Sequence, residues 1–246
     1  MIEQISTGVW RAGSRFVNWY VLDCGVDGLA VVDAGLPGYR KHLGVTLAKI
    51  GKSLSDVTVV YLTHGHIDHV GMASDMAAEG AEVYLHSADS RLAQDPSANE
   101  TDATLARYLL WPATLGFVAH AVVNGATTRT PMPELRQLEN QDSAALPGRP
   151  RVLHAPGHTA GSCILEFQDH DVACIGDVLC TTSPRSGRPT EPQIQSRGSN
   201  ESSSQALTSV SKLRDVSSRI LLPGHGGPWS GGSEAAIANA HKVGCR

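Results

Sequence analysis

Residues 63–71 read THGHIDHVG, so His64, His66, Asp68 and His69 fall within six positions. With 11 histidines in 246 residues, the spacing His-x-His-x-Asp-His arises by chance with a probability on the order of one in a thousand. The seven residues ending at Thr63, VTVVYLT, form an apolar β-rich run, and the helix-patterned stretch before them ends at Gly51, suited to a C-terminal cap. The motif is therefore expected on a loop at the C-terminal end of a strand. In an extended loop, His64 and His66 can face one way while Asp68 and His69 serve a neighbouring position, so one loop could feed two metal ions.

Working outward, FVNWYVLD (16–23), LAVVDAG (29–35) and AEVYLHS (81–87) read as strands, with helices at 38–51 and 71–80 between them. This is α/β organisation. From residue 88 to about 150 the pattern changes to a helical insertion: residues 102–123 are helical and apolar but interrupted by Pro112, and 128–150 are a long Pro-containing connection. Strands resume at 151–155, 162–167, 171–177 and 219–223, with helices near 204–215 and 233–243. Residues 181–204, rich in Ser, Pro, Arg and Gly, read as a solvated loop or, alternatively, as a loop that contacts substrate. The length suits a single domain over 1–246.

Composition narrows the function classes. Hydrophobic residues make up 41%, charged residues 18%, and the net charge is −4. Neither nucleic acid nor a membrane is an expected partner. The five cysteines (24, 163, 174, 180 and 245) are scattered without a CxxC pair, which argues for reduced thiols. The N-terminal stretch lacks a signal-like apolar run, and no segment approaches the roughly 20 apolar residues of a membrane span. A cytoplasmic location is expected.

Three further segments carry ligand-type residues after strand-like runs: APGHTAGS with His158, CIGDVL with Asp177 and LPGHGGPW with His225. A glycine precedes each of them and lets the chain turn tightly at a strand end. All the candidates would then share one edge of the sheets.

Taken in order, HGHIDH, PGHTAGS, IGD and PGHG resemble the metallo-β-lactamase superfamily over nearly the whole chain. The resemblance implies a four-layer αββα sandwich and a dinuclear metal site at one edge. It implies that His64, His66 and His158 hold one ion and Asp68, His69 and His225 the other, with Asp177 bridging them. Two Zn²⁺ per chain are expected; Fe and Mn also suit imidazole and carboxylate. A hydroxide shared by two cations could attack a carbonyl or phosphoryl centre at neutral pH, with Asp68 orienting it. Asp33 matches the acid beneath the first motif and is expected to steady a ligand imidazole or its loop, although a strand-end Asp could equally cap the turn before Gly35. Thr63 carries the same ambiguity. The other histidines (42, 86, 120, 154, 170 and 241) match no position of the pattern and are expected to be structural or exposed.

Departures from the family's branches bear on substrate. Metallo-β-lactamases generally lack the bridging aspartate, so β-lactam hydrolysis is expected at most as a promiscuous activity. Glyoxalase II has a helical C-terminal domain for glutathione, whereas about twenty residues follow His225 here. Acyl-homoserine lactonases place a tyrosine where this chain has Cys180. Nucleases bring basic arms, and the 88–150 insertion is apolar. What remains is hydrolysis of an ester, thioester or lactone bond of a small molecule, with the apolar insertion, Trp111 and Phe117 included, roofing a pocket for acyl-type substrates. That insertion could instead only pack on the sandwich or pair two subunits, so the oligomeric state stays open. A mononuclear iron oxygenase of the persulfide dioxygenase kind is the redox alternative, and a metal-binding accessory protein the non-enzymatic one.

Overall fold

Alternate residues of the run 19–22 enter two different cores: Trp19 and Val21 pack on one side, Tyr20 and Leu22 on the other. The same division holds at Leu29 and Val31 against Ala30 and Val32. A strand buried on both faces reads as a continuous apolar run, which is why these segments show no polar alternation. The computed structural model describes residues 2–128, 131–139 and 145–245.

Its first sheet has seven strands in spatial order β1 (Ile2–Ser6), β2 (Val9–Gly13), β3 (Asn18–Asp23), β4 (Leu29–Val32), β5 (Val57–Tyr61), β6 (Glu82–Leu85) and β7 (Leu135–Gln137). Pairing is antiparallel from β1 to β4 and parallel from β4 to β7. The second sheet comprises β8 (Arg151–His154), β9 (Cys163–Phe167), β10 (Val172–Gly176) and a last strand, Ile220–Pro223, in the spatial order last strand, β10, β9, β8. A separate ribbon pairs β11 (Cys180–Thr182) with β12 (Pro189–Gln193), which makes Ile220–Pro223 β13.

The sheets meet face to face. Tyr20, Val32, Val59 and Tyr61 from the first pack with Leu165, Phe167, Cys174 and Leu222 from the second. On the outer face of the first sheet lie α1 (Arg40–Ala48) and, beyond the short α2 (Ile67–Val70), α3 (Ala73–Ala78), which contribute Leu43, Leu47, Ala73 and Met76. After α4 (Ser90–Gln94), α5 (Pro112–Val123) and α6 (Ser203–Ser209), α7 (Ser233–Val243) closes the outer face of the second sheet through Ala236, Ile237 and Ala240. The order is helix, sheet, sheet, helix, the expected αββα sandwich.

The insertion differs from its sequence reading in two respects. Pro112 does not interrupt a helix but begins one, at the first turn of α5, where its missing N–H costs nothing. The connection that follows contains a strand, β7, which extends the first sheet beside β6. Residues 129–130 and 140–144 of that connection lie outside the described residues. No helix among the described residues is long and apolar enough to cross a membrane, and all five cysteines are unpaired.

One buried carboxylate ties the second sheet to the segment before β13. Glu166 on β9 is fully buried; its Oε1 accepts from the backbone N–H of Ser217 and Ser218 at 2.7 and 2.8 Å and from their hydroxyls at 2.8 and 3.0 Å. Arg151 reaches Oε2 at 3.1 Å. Burial alone would raise the carboxyl's pKa, but the bonds from Ser217 and Ser218 outweigh it and hold the group below its ordinary 4.5. A depressed folded pKa adds stability that is present above about 4.5 and lost as pH falls through the folded value. Glu166→Gln is therefore expected to lower unfolding free energy by about 1–3 kcal/mol at pH 7 and to flatten this acid limb in urea melts between pH 3 and 7. An unchanged midpoint and pH profile would show that the carboxylate is dispensable.

Candidate metal centre

All seven sequence-predicted ligands converge at one edge of the sandwich. β5 leads into His64, β8 into His158, β10 into Asp177 and β13 into His225. The extended path of the first motif ends at His66, whose backbone is still in the β region; from Ile67 the chain winds into α2, which carries Asp68 and His69 in a helical turn. The change from extended to helical backbone divides the four residues into two pairs. Possible donor atoms of His64, His66 and His158 lie within 4.8 Å of one another, as do those of Asp68, His69 and His225.

Asp177 stands between the two groups. Its Oδ2 is 3.3 Å from His158 Nε2 and 3.0 Å from His225 Nε2, and its Oδ1 is 3.7 Å from His69 Nε2. Asp68 Oδ2 lies 3.5 Å from both His69 Nε2 and His225 Nε2.

The outward nitrogens show which lone pairs face the centre. His69 Nδ1 lies 2.8 Å from Asp33 Oδ2 and His158 Nδ1 3.1 Å from Asn200 Oδ1; His66 Nε2 lies 3.1 Å from Asn99 Oδ1, and His225 Nδ1 contacts the Phe16 carbonyl. His64 Nδ1 lies 3.0 Å from Thr63 Oγ1, whose own proton goes to Asp33. Each partner is an acceptor, so each ring keeps a proton outward and turns its other nitrogen toward the centre, where a metal ion can take the place of any proton on it. Three such atoms, His64 Nε2, His69 Nε2 and Asp177 Oδ1, are buried and have no hydrogen-bond partner. Buried polar atoms are rarely left so; donor atoms of these three residues lie within 4.8 Å of one another, nitrogen and oxygen ligands that could hold a metal ion.

The charge of the site agrees. Burial would lower the pKa of His69, but Asp68, Asp33 and Asp177 overcome it and push the ring up to about 10. His225 is likewise raised to about 9 against burial, by Asp177 and Asp68. His158 falls to about 4, chiefly through burial, and His64 falls well below its ordinary value through burial and the neighbouring His69 and His158. The carboxylates thus make a field that attracts cations on the Asp68 side, while the His64 side stays neutral, with lone pairs free for a metal.

Asp33 lies beneath the motif. It is buried, accepts from Thr63 N–H at 2.8 Å and Oγ1 at 3.0 Å, and holds His69. Its φ of 62° puts it in the left-handed region at the end of β4, and its carboxylate bonds Thr63 and His69 rather than capping the turn before Gly35. The glycines before the ligands serve different ends. Gly176 has φ 48°, and a Cβ there would stand 2.5 Å from Thr63 Oγ1. Gly224 is not left-handed; a Cβ on it would run into Asp177 Oδ1 and His69. Its bareness makes room for the cluster rather than for a turn.

Several supporting residues escaped the sequence reading. Asp89 is buried and accepts from Gly65 N–H, Thr159 Oγ1 and Gly161 N–H at 2.8, 2.6 and 2.6 Å, so one carboxylate pins the first-motif loop to the His158 loop. Its only signal was a position after a strand, like that of Asp33. Asn200, fully buried, donates to the Gln195 carbonyl, and Gln195 reaches Asp177 at 3.3 Å. Asn18 holds the His225 loop through the carbonyls of Pro223 and Gly226, at 2.9 and 2.7 Å. Residues 181–204 are a solvated loop only in part: 185–189 are exposed, but the stretch includes β12, and Gln195 and Asn200 support the cluster from one side.

A cavity of about 530 Å³ opens on the cluster, with His66, Asp68, His158, Asp177 and His225 at its floor. Along α5 its wall is Ala113, Gly116, Phe117 and Ala121, and Ser183, Pro184 and Ser196 face it from the polar stretch. Trp111 does not line it. Trp111 precedes the first turn of α5 and meets Tyr108 edge-on with centroids 4.8 Å apart, whereas Phe117, two turns along, reaches His225 at 5.6 Å. Cys180 is buried, its thiol pushed up to about 12 by burial, and its Sγ contacts the Thr182 and Gln193 carbonyls. No cluster histidine comes from outside the predicted set: His86 and His154 stack on each other, and His120 bonds Tyr39.

The family model described as Metallo-beta-lactamase superfamily matches residues 12–225. Rv2581c of Mycobacterium tuberculosis is 29% identical over 232 residues, which span 91% of this chain and 92% of that protein. The chicken (Gallus gallus) acyl-coenzyme A thioesterase MBLAC2 is 29% identical over 178 residues, 69% of this chain and 60% of its own. Among solved structures, the metallo-beta-lactamase family protein TTHA1429 of Thermus thermophilus superposes with a TM-score of 0.69 at 25% identity, covering 98% of this chain and 81% of that one. With the sandwich, the ordered motifs and a family match spanning both halves of the cluster, the chain belongs to the metallo-beta-lactamase superfamily.

Proposed function

We propose that the chain is a metal-dependent hydrolase that cleaves an acyl thioester, with esters and lactones as the nearest related substrates. One observation carries the reading: the ligand cluster forms the floor of a cavity whose α5 wall is apolar, so a scissile carbonyl can meet the cluster while an acyl chain lies against Phe117. The thioesterase named among the relatives supports the choice of bond.

His64, His66 and His158 would hold one ion and Asp68, His69 and His225 the other, with Asp177 shared; zinc is the first choice, and iron and manganese suit the same donors. Two such cations would supply Lewis acidity toward a carbonyl and toward water at neutral pH. The protein's own part is positioning. Asp68 faces the cavity, so its carboxylate can take the proton of a water standing there and aim it at the carbonyl. Asp33, Thr63 and Asn200 keep three imidazoles turned with their lone pairs inward. Cys180 is turned away from the site, which leaves a lactonase without the helper that the tyrosine would provide there.

A panel of acyl thioesters, p-nitrophenyl esters, lactones, phosphodiesters and nitrocefin tests the reading. The highest kcat/KM is expected for acyl thioesters. Phe117→Ala should lower kcat/KM for a hexanoyl thioester about tenfold relative to the acetyl one, as loss of an aromatic wall predicts. Phosphodiesters as best substrates, or oxygen uptake with a single iron, would overturn the proposal; an unchanged chain-length profile in Phe117→Ala would remove the acyl wall from it.

A further inference from the structure

Apart from the candidate ligands, Arg15 is the one ionisable side chain lining the cavity among the described residues. It is exposed, on the loop between β2 and β3, and so stands at the opening. Its guanidinium lies 4.5 Å above the ring centroid of Phe16. Phe16 meets Phe117 edge-on at 6.3 Å, and Phe117 meets His225 at 5.6 Å. The row Arg15, Phe16, Phe117, His225 therefore runs from the mouth to the cluster.

Among the described residues no carboxylate pairs with Arg15, whereas Arg11, Arg136, Arg149, Arg151, Arg214 and Arg219 all have one. The surrounding charge is mostly positive. Residues 13–17, 103–128 and 178–193, which supply the loop, the α5 wall and the facing ribbon, contain Arg15, Arg107, Arg185 and Arg188 against one carboxylate, Glu191, in a chain whose net charge is −4. The facing loop is tied to α5 by Ala113 N–H donating to the Arg185 carbonyl at 3.4 Å and by Thr114 Oγ1 donating to the Pro184 carbonyl at 3.3 Å. An arginine held over an aromatic ring, without a counter-ion and beside an apolar slot, is a fork for an anionic group.

We propose that the cavity selects substrates that carry an anionic group at the end remote from the scissile carbonyl, received by Arg15 while the apolar part lies along Phe16 and Phe117. This deepens the hydrolase reading and rests on that reading's use of the cavity as the substrate site. It makes Arg15 a determinant of specificity rather than of the chemical step.

The test uses two inert thioethers, 2-(hexylthio)ethanesulfonate and the neutral 2-(hexylthio)ethanol, titrated calorimetrically into the zinc-loaded chain at low salt. Sulfonate is a poor metal ligand, so a preference for it reports on the arginine. The sulfonate is expected to bind about fivefold tighter than the alcohol, the ratio falling to about one in Arg15→Met, remaining partial in Arg15→Lys, and shrinking with added salt. Equal binding of the two probes by the unaltered chain, the same ratio in Arg15→Met, or binding of neither would overturn the proposal. Neither probe has a hydrolysable bond, so failure of thioester turnover would defeat the hydrolase reading while leaving this comparison standing.

Discussion

Asp177→Ala is expected to bind one metal ion per chain in place of two and to lose turnover by more than about 100-fold, the upper figure for losing a mere outer partner of a ligand. Asp177 is the single residue within 3.3 Å of His158 in one triad and of His225 in the other. Without it, the two triads share no ligand, His158 loses the carboxylate it faces, and His69 and His225 keep only Asp68, at 3.5 Å, on the cluster side. The variant should still fold, because Asp177 follows β10 and its side chain engages Gln195 and the cluster rather than either core. Metal analysis and kcat/KM on the same sample check this; two retained ions at full rate would show that another residue holds the pair together.

The second large effect is expected at Asp33. Asparagine tolerates its left-handed backbone, with φ 62°, and can still accept from the Thr63 N–H. Its amide, however, cannot both accept there and accept from His69 Nδ1–H, which is 2.8 Å from Oδ2. Asp33→Asn is therefore expected to weaken the second ion 10- to 100-fold, roughly the range for an outer partner, with little change in melting temperature. Asp33→Ala strands the Thr63 and His69 donors in a buried site and should cost about 3 kcal/mol or more of stability. Competition titration with a chelator measures the first effect and denaturant melts the second. An unchanged second-ion affinity in Asp33→Asn would reduce Asp33 to a turn residue.

The site was legible in the sequence to the extent that its residues lie next to strands. His64, His158, Asp177 and His225 each follow an apolar run, and a run buried on both faces is hard to mistake, so the sheet edge and its ligands emerge together. Asp89 and Asn200 were not legible because their partners are distant loops: Gly65 and Gly161 for the one, His158 for the other. Nothing in the local pattern of HSADS or GSNES reports such a contact. The β1–β2 hairpin was passed over because its strands sit at the sheet edge, where no residue of β1 is fully buried and only Val9 and Ala12 are buried on β2. Trp111 was read with Phe117 as part of an apolar roof, but the periodicity of α5 decides the matter: Gly116, Phe117 and Ala121 share the inward face, while Leu115 and Val122 point outward and are exposed.

The central claim is that His64, His66, His158, Asp68, His69, His225 and Asp177 form one site for two ions. The most direct test is elemental analysis by plasma mass spectrometry after the purified chain has been stripped, dialysed against zinc and freed of excess. Two zinc ions per chain are predicted. One ion or fewer, with the seven residues intact, would contradict the account.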